Sequence, residues 1–270
     1  MRARPGRLVL LGHPLSHSLS PRFQNAALKA AGIDLTYELM DVPRSSVEDT
    51  LASLRRERAA GNVTIPYKEV VAEECDRVTD EARAVGAVNT FWTAVDGALV
   101  GDNTDVGGFS AALRELGVET RNARVAILGA GGGAAAVLRA MEGWQNARAI
   151  VYARTEKRAS ELVGRFRVPA RVAKTPHDAV QHATLIVNAT PVGLRDDEML
   201  VQPDEIPRQC AVFDLAYRKD GTALVRAARA RGLPATDGLG MLVEQGALAF
   251  ERWFGVAPDR DAMWAAVRSA

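Results

Sequence analysis

Arg124–Ala136 reads RVAILGAGGGAAA, and this stretch decides the fold. Its start, Val125–Leu128, is a short apolar run rich in branched residues, which predicts a buried strand. A glycine-rich turn follows at once, made of Gly129, Ala130, Gly131, Gly132 and Gly133. Small residues let the chain turn, let backbone approach a pyrophosphate and let the next helix pack on the strand, and that helix start offers free N–H groups to phosphate. A turn that holds no ligand is the alternative, but the flanking strand and helix favour a dinucleotide.

The alternation of strand and helix continues after this turn. Five further apolar runs predict strands, at Arg148–Tyr152, Ala170–Ala173, Thr184–Val187, Ala211–Leu215 and Pro234–Thr236. With Val125–Leu128 they make six strands separated by helices, which is a complete doubly wound nucleotide-binding fold. Ligands bind at the carboxyl ends of strands in such sheets, so we expect the loop Asn188–Gly193 to border the cofactor.

The residues after the second of these strands indicate which dinucleotide binds. An NAD site normally places an acid at this strand end for the ribose hydroxyl. Here Ala153–Arg158 reads ARTEKR, with no acid at the strand end and two arginines and a lysine following. Positive charge and bidentate donors are what a ribose 2′-phosphate requires, which predicts NADP. An ordinary basic first turn is the alternative, but cations are unfavourable at a helix start.

Near the amino terminus, Gly12–Pro21 follows a predicted first strand and is dense in hydroxyls. Pro21 suits the first turn of a helix, and we expect Ser20 to be its N-cap. Capping does not require Ser18, so the loop is also a candidate binding loop. The loop also contains two histidines, His13 and His17, which are as compatible with a surface position as with a binding role.

A lysine stands near the start of another predicted helix. Val47–Ala60 reads as an amphipathic helix, and a short strand through Ile65 follows it. Asn62 and Thr64 alternate with apolar residues along this strand and therefore share one of its sides. Lys68 comes just after Pro66 opens the next helix, where a cation opposes the helix dipole. A local stabilising role for this lysine is thus disfavoured, although a solvated cation is not excluded.

Two acids crowd the start of a further helix. Ala87–Trp92 and Ala98–Gly101 read as a hairpin, and Asn89 lies in its first strand. Gly101–Asp105 reads GDNTD and opens the helix that follows. Capping and pairing with the helix dipole explain one acid but not two, which makes Asp105 a candidate functional group.

The composition of the whole chain limits the class of protein. It has 270 residues, 47% of them apolar and 25% charged, with a formal net charge of +1. No basic surplus indicates a nucleic-acid partner, and the apolar runs are far shorter than a membrane span. The two cysteines lack metal or redox spacing, so a reducing, cytoplasmic location is expected.

Taken in order, these motifs resemble the shikimate dehydrogenase family over nearly the whole chain. The matching segments are Gly12–Pro21 (G-x-P-x-x-H-S-x-S-P), Asn62–Lys68 (N-V-T-x-P-x-K), Gly86–Thr90 (G-A-V-N-T), Gly101–Asp105 (G-D-N-T-D), Gly129–Ala134 (G-x-G-x-x-A), Arg154–Arg158 (R-T-x-x-R), Asn188–Gly193 and Gly238–Gln245. Four positions depart from the usual family pattern: Gly61, which adjoins Asn62 directly, Gln24, Ala153, and the pair Arg218-Lys219.

The resemblance implies NADPH-dependent, reversible reduction of 3-dehydroshikimate to shikimate in aromatic amino-acid (chorismate) biosynthesis. It implies catalysis by Lys68 with Asp105. Substrate binding is implied, besides Asp105, for Ser18, Ser20, Asn62, Thr64, Asn89, Tyr217 and Gln245. Cofactor binding is implied for the glycine-rich turn and for Arg154, Thr155, Arg158, Asn188, Thr190, Gly238 and Met241. The expected partners are small molecules, with the chain a monomer or homodimer.

An α/β architecture of two domains is also implied. Residues 1–103 with 240–270 would form an N-terminal α/β substrate domain, and residues 104–239 a doubly wound Rossmann domain that binds NADP. Three alternatives stay open: a quinate/shikimate dehydrogenase of broader specificity, a non-catalytic NADP-binding sensor, and a dehydrogenase of this fold with another substrate.

Overall fold

The chain divides into two units, which we describe separately. The computed structural model describes residues 4–16 and 18–268; His17, one of the two loop imidazoles, lies outside this part. Unit 1 comprises Met1–Gly108 and Leu242–Ala270, and unit 2 comprises Phe109–Met241.

The bounds of the regular elements follow in chain order. The strands are β1 (Arg7–Gly12), β2 (Tyr37–Asp41), β3 (Ala59–Val63), β4 (Arg77–Val78), β5 (Thr90–Thr93), β6 (Leu99–Asp102), β7 (Arg124–Leu128), β8 (Arg148–Tyr152), β9 (Ala170–Val172), β10 (Leu185–Asn188), β11 (Ala211–Asp214) and β12 (Ala235–Thr236). The helices are α1 (Ser20–Ala30), α2 (Val47–Arg56), α3 (Lys68–Glu74), α4 (Asp80–Val85), α5 (Asp105–Glu115), α6 (Gly132–Met141), α7 (Glu156–Val163), α8 (Pro176–Val180), α9 (Ala223–Ala230), α10 (Leu239–Phe254) and α11 (Arg260–Arg268).

Unit 1 is built on a mixed sheet with the strand order β2-β1-β3-β5-β6-β4. β1 runs parallel to both β2 and β3, whereas β5 is antiparallel to β3 and to β6. Parallel strands end at the same edge of a sheet, so the ends of β1, β2 and β3 bring together the loops that follow them. These loops carry several of the polar residues that the sequence singled out.

The expected helix Val47–Ala60 is too long. Helix α2 ends at Arg56, and Arg58 then adopts a φ of 52°, a left-handed conformation that no helix can continue through. Ala59 and Ala60 belong instead to β3 and are fully buried, so pairing within the sheet overrides the helix preference of alanine. The same strand ends at Val63, and the expected strand residue Ile65 lies outside it and is 62% exposed.

Unit 2 is built on a wholly parallel sheet with the order β12-β11-β10-β7-β8-β9. If β7 to β12 are numbered 1 to 6 and the sheet is read from its β9 edge, the order is 3-2-1-4-5-6. This is the doubly wound dinucleotide-binding topology. The α/β fold predicted from the glycine-rich turn is therefore confirmed. No helix in the described ranges is both long and apolar enough to cross a membrane.

Candidate active site

Lys68 and Asp105 are residues of unit 1 that each begin a helix, and they form an ion pair. Lys68 Nζ lies 2.6 Å from Asp105 Oδ2. The side chain of Asp105 is only 6% exposed and that of Lys68 is 23% exposed. The bond uses one of three ammonium hydrogens, so the lysine retains donors for another acceptor. The pair therefore presents a cation that is fixed by its carboxylate and still able to donate.

Asn89 orients the carboxylate of this pair. Its Nδ2 donates to Asp105 Oδ1 at 2.8 Å and to Gln245 Oε1 at 3.2 Å. Its Oδ1 accepts from the backbone N–H of Thr104 at 2.7 Å. Because one oxygen of Asp105 meets an amide and the other meets the ammonium, the plane of the carboxylate is fixed before any ligand binds.

Tyr37 connects Asn62 to the same group of residues. The Tyr37 hydroxyl donates to Asn62 Oδ1 at 2.8 Å, and Asn62 Nδ2 donates to the carbonyl of Asn89 at 3.2 Å. Burial raises the pKa of Tyr37 well above its ordinary value, so the hydroxyl stays a neutral donor. The structure thus brings together Asn62, Lys68, Asn89, Asp105 and Gln245.

The loop after β1 carries Ser18 and Ser20, and here the expected cap is wrong. Ser20 is the first helical residue of α1, and the N-cap is Leu19, which makes no side-chain cap. Ser18 Oγ instead accepts from the N–H of Ser20 at 3.2 Å, as an Oγ in a serine turn does. No hydrogen bond within residues 4–16 and 18–268 joins these two hydroxyls, or that of Thr64, to the group around Asn89.

Asp41, which sequence reasoning missed, anchors this loop. It ends β2 beside the end of β1, and its Oδ2 accepts from the N–H of Leu15 at 2.8 Å. Its Oδ1 lies 2.5 Å from His13 Nδ1, and this contact lowers the pKa of Asp41. The parallel pairing of two strands that end in polar residues was the available signal.

The glycine-rich turn of unit 2 has the geometry expected of a phosphate site. Gly129 has a φ of 121°, and a Cβ there would lie 2.7 Å from the carbonyl oxygen of Ala189. Gly131 is the N-cap of α6, and a Cβ there would meet no atom within 4 Å. The turn therefore leaves open space in front of the free N–H groups of α6, which fits a dinucleotide pyrophosphate.

Arg154, Thr155 and Arg158 lie exposed after β8. Neither arginine side chain forms a hydrogen bond or ion pair with any described residue. Thr155 is the N-cap of α7 but makes no side-chain cap. Two guanidinium groups and a hydroxyl are therefore available to a ribose phosphate, and the donor set fits NADP.

The side chains of Asn188 and Thr190 are occupied by hydrogen bonds within their own loop and, for Asn188, to Asp214 of β11. Asn188 Oδ1 accepts from the N–H and the Oγ1 of Thr190, at 3.1 and 2.7 Å. Asn188 Nδ2 donates to the carbonyl of Val192 at 3.1 Å and to Asp214 Oδ1 at 2.9 Å. Since both donors and both lone pairs of the amide are used, Asn188 shapes this loop, and its side chain has no free group for a ligand.

The remaining predicted residues of unit 2 lie near the ends of β11 and β12. Tyr217 is half-buried, and Met241 is buried in the first turn of α10. A Cβ at Gly238 would lie 2.1 Å from the carbonyl oxygen of Leu215, and the Gly238 N–H donates to the carbonyl of Ala216. Gly238 thus permits a close backbone approach that no other residue could occupy.

Three features define the class of protein as an NADP-dependent oxidoreductase. They are the doubly wound dinucleotide fold, the free arginines after its second strand and the pre-oriented lysine–aspartate pair. Comparison with known proteins supports this class. The family model of the shikimate dehydrogenase substrate binding domain matches residues 10–91, and that of the shikimate 5′-dehydrogenase C-terminal domain matches residues 238–268.

Individual relatives agree over almost the full length. Shikimate dehydrogenase (NADP(+)) of Symbiobacterium thermophilum is 40% identical, over 98% of this chain and 95% of the relative. A crystal structure of shikimate 5-dehydrogenase from Thermus thermophilus, in complex with NADP(H) and shikimate, is 39% identical with a TM-score of 0.88, over 97% of this chain and 98% of that one. Quinate dehydrogenase from Corynebacterium glutamicum, in complex with NAD, is 30% identical with a TM-score of 0.86, over 97% and 98%. The chain belongs to the shikimate dehydrogenase family.

Proposed function

We propose that this chain catalyses the reversible, NADPH-dependent reduction of 3-dehydroshikimate to shikimate, a step in aromatic amino-acid (chorismate) biosynthesis. The observation that carries the proposal is the 2.6 Å ion pair between Lys68 and Asp105, oriented by Asn89. The names of the relatives support the substrate and the cofactor.

The reaction adds a hydride to the carbonyl carbon and a proton to the carbonyl oxygen. NADPH, when bound, supplies the hydride. The Lys68 ammonium donates a hydrogen bond to the carbonyl oxygen and stabilises the negative charge that develops there. Transfer of that proton gives the alcohol and leaves Lys68 as a neutral amine next to Asp105. The negative charge of Asp105 favours the return of a proton to this amine. In the oxidative direction the neutral amine removes the proton from the hydroxyl.

A ring that bears several hydroxyls and a carboxylate needs many small polar partners. We assign the substrate carboxylate to Ser18 and Ser20, whose hydroxyls are not used to cap α1. The ring hydroxyls are assigned to the remaining predicted substrate residues: Asn62, Thr64, Asn89, Tyr217 and Gln245. Asn89 and Gln245 are already aligned with Asp105 by hydrogen bonds, which favours this assignment.

Cofactor binding is assigned to unit 2, and the proposed functional division is residues 1–103 with 240–270 against residues 104–239. The glycine-rich turn would hold the pyrophosphate, with Arg154, Thr155 and Arg158 on the ribose 2′-phosphate. The loop Asn188–Gly193, Gly238 and Met241 would border the nicotinamide. Among these residues, Asn188 and Thr190 would act through the shape of their loop, because their side chains are hydrogen-bonded within it.

Oxidation of quinate is the second candidate activity, favoured by the similarity to the quinate dehydrogenase. The test mixes the protein with NADP or NAD and with shikimate or quinate, and follows the absorbance of the reduced nicotinamide. The proposal expects the fastest increase with NADP and shikimate. A faster increase with quinate, or no increase with any pair, would overturn it.

We infer a cytoplasmic enzyme that acts on small molecules without a nucleic-acid or membrane partner, as a monomer or homodimer. Both cysteines, Cys75 and Cys210, are free thiols, which suits a reducing compartment. Light scattering of the purified protein distinguishes monomer from dimer, and fractionation of the source cells tests the compartment.

A further inference from the structure

Asp214 is a buried acid that the proposed chemistry does not use. It is the last residue of β11, and none of its surface is exposed. No lysine, arginine or histidine of the described chain forms an ion pair with it. Burying a carboxylate without a positively charged partner costs free energy, so the presence of Asp214 at this position calls for a functional explanation.

Three neutral donors meet this carboxylate. Asn188 Nδ2 and the N–H of Ala216 both donate to Oδ1, at 2.9 and 3.1 Å. The hydroxyl of Thr222, at the N-cap of α9, donates to Oδ2 at 2.7 Å. One side chain thus joins the end of β10, the loop after β11 and the start of α9.

The bond to Asn188 is important because Asn188 organises the loop that follows β10. Asn188 and Asp214 are register partners at the ends of neighbouring parallel strands. Asn188 can hold Thr190 and Val192 only while its amide keeps one orientation, with the NH2 group toward Val192 and Asp214. A carboxylate accepts but does not donate, so Asp214 selects this orientation over the flipped one.

The contact with Ala216 fixes a second segment at the same edge. The carbonyl of Ala216 accepts from the N–H of Gly238 at 2.9 Å, and Leu215 leaves room only for glycine at that position. Asp214 is therefore hydrogen-bonded, through Asn188 and Ala216, to both segments that the proposed function places beside the nicotinamide.

We propose that Asp214 is a positioning residue for the nicotinamide half of the cofactor, acting through its hydrogen bonds to Asn188 and Ala216. The inference rests on the proposed function for the identity of the cofactor. It predicts that the two halves of NADPH respond differently to loss of Asp214, because the adenosine half is assigned to Arg154 and Arg158.

Two substitutions separate hydrogen bonding from charge. Asp214→Leu removes all three acceptor contacts at similar size. Asp214→Asn is the matched control: its Oδ1 can still accept from Asn188 and Ala216, while its NH2 group faces the Thr222 hydroxyl, which can turn to accept. Each variant is titrated with NADPH and with adenosine 2′,5′-bisphosphate, and kcat and KM are measured with shikimate and NADP.

For Asp214→Leu we expect NADPH affinity to fall about tenfold or more and kcat to fall with it, since two or more hydrogen bonds are lost. Affinity for adenosine 2′,5′-bisphosphate should stay within about twofold, and Asp214→Asn should restore NADPH binding to within about threefold. If Asp214→Leu does not fold, Asn188→Leu breaks the same bond from the other side and must give the same pattern.

Three results would overturn the inference: a folded Asp214→Leu protein with unchanged NADPH affinity and kcat, an equal loss for both ligands, or an Asp214→Asn variant as impaired as the leucine variant. Failure of the proposed function is a separate outcome. In that case the unmodified protein binds adenosine 2′,5′-bisphosphate but oxidises no shikimate.

Discussion

Asp105 in unit 1 and Asp214 in unit 2 are two buried carboxylates with opposite surroundings. Asp105 has an ammonium 2.6 Å away and an amide on its other oxygen. Asp214 has only neutral donors, from Thr222, Asn188 and a backbone N–H. Burial raises the pKa of Asp214 to about 6, and the negative charge of Asp237 adds to this increase.

The difference shows what a buried acid does in each environment. A carboxylate beside a cation has its negative charge balanced by that cation and can influence proton transfer there. A carboxylate surrounded by neutral donors gains orientation from them but retains an unfavourable charge at neutral pH. We therefore expect substitutions at the Lys68–Asp105 pair to affect mainly the chemical rate, and substitutions at Asp214 to affect stability and geometry.

The largest expected effect comes from Lys68→Met, which gives Asp105 the cation-free surroundings of Asp214. Loss of a proton-transfer group typically lowers the rate by about 10²–10⁴. We expect kcat to fall by this factor while NADPH affinity is retained, because the cofactor residues are elsewhere in the chain. Steady-state kinetics and a fluorescence titration with NADPH measure the two quantities.

Lys29→Met is the matched control, since Lys29 is an exposed lysine of α1 in the same unit. It should leave kcat unchanged. A purely structural ion pair predicts the reverse pattern for Lys68→Met: a lower melting temperature with nearly normal kcat in the folded fraction. That pattern would assign Lys68 and Asp105 to stability alone.

Asp214→Asn should stabilise the protein at neutral pH. The pKa of this carboxyl is raised from 3.8 to about 6 on folding, so its stabilising contribution is complete below about pH 4 and is lost as the pH rises through 6. The asparagine variant cannot ionise and avoids a loss of about 3 kcal/mol. Urea unfolding from pH 4 to pH 8 measures the difference, which should grow as the pH rises.

Asp178→Asn provides a control of opposite sign. The hydrogen bonds from Arg171 and then from the N–H of Lys174 lower the pKa of Asp178, so its contribution is present at neutral pH and is lost in acid. The Asp178→Asn variant should therefore be less stable than the unmodified protein at pH 8. A pH-independent difference for Asp214→Asn would contradict the account of its buried charge.

Arg154→Ala tests the two exposed arginines after β8, Arg154 and Arg158, whose side chains have no hydrogen-bond or ion-pair partner among the described residues. A hydrogen bond to a charged group contributes about 1.5–3 kcal/mol, so NADPH affinity should fall roughly tenfold to a hundredfold. NADH affinity should hardly change, because NADH lacks the 2′-phosphate. Arg148→Ala, at the opposite end of β8, is the control, and equal losses for NADPH and NADH would refute the assignment.

The smallest effect is expected for Ser18→Ala. Its hydroxyl accepts from a backbone N–H and is assigned to the substrate carboxylate. Loss of one such hydrogen bond should raise the KM for shikimate about threefold to tenfold and leave the KM for NADP unchanged. Ser16→Ala, an exposed serine of the same loop, should change neither. An unchanged shikimate KM in Ser18→Ala would remove the serine from the binding site.

Much of unit 2 could be predicted from the sequence because local signals and the fold agree there. The glycine-rich turn and the six strands alternating with helices indicated the doubly wound topology, and the predicted strand Arg148–Tyr152 matches β8 at both ends. Nothing in the sequence around Asp214, the last residue of β11, indicated the hydrogen bonds that it forms. Its partners Asn188 and Thr222 become neighbours only after the sheet forms.

Unit 1 was harder to predict because tertiary pairing overrides local preference there. Ala59 and Ala60 favour helix yet lie in β3, since β1 pairs with them on one side and β5 pairs with Ala60 on the other. Ser20 suits an N-cap by type, but Leu19 takes that position. Lys68 was identified because a cation is unfavourable at a helix start, and Asp105 because capping explains only one of the two acids there. Their 2.6 Å contact, in contrast, required the folded chain.

Two separate segments of the chain together complete unit 1, and this affects the order of events on the ribosome. Phe109–Met241 is one continuous segment and has been synthesised in full when Met241 is added. Unit 1 must wait for Leu242–Ala270, whose Trp253 donates to Thr90 Oγ1 and whose Gly246 carbonyl accepts from Gln24. At about 5–20 residues per second, the amino-terminal strands therefore emerge many seconds before their last packing partners. In this protein the second unit can finish first, and unit 1, which carries the lysine–aspartate site, is completed only after Leu242–Ala270 has been synthesised.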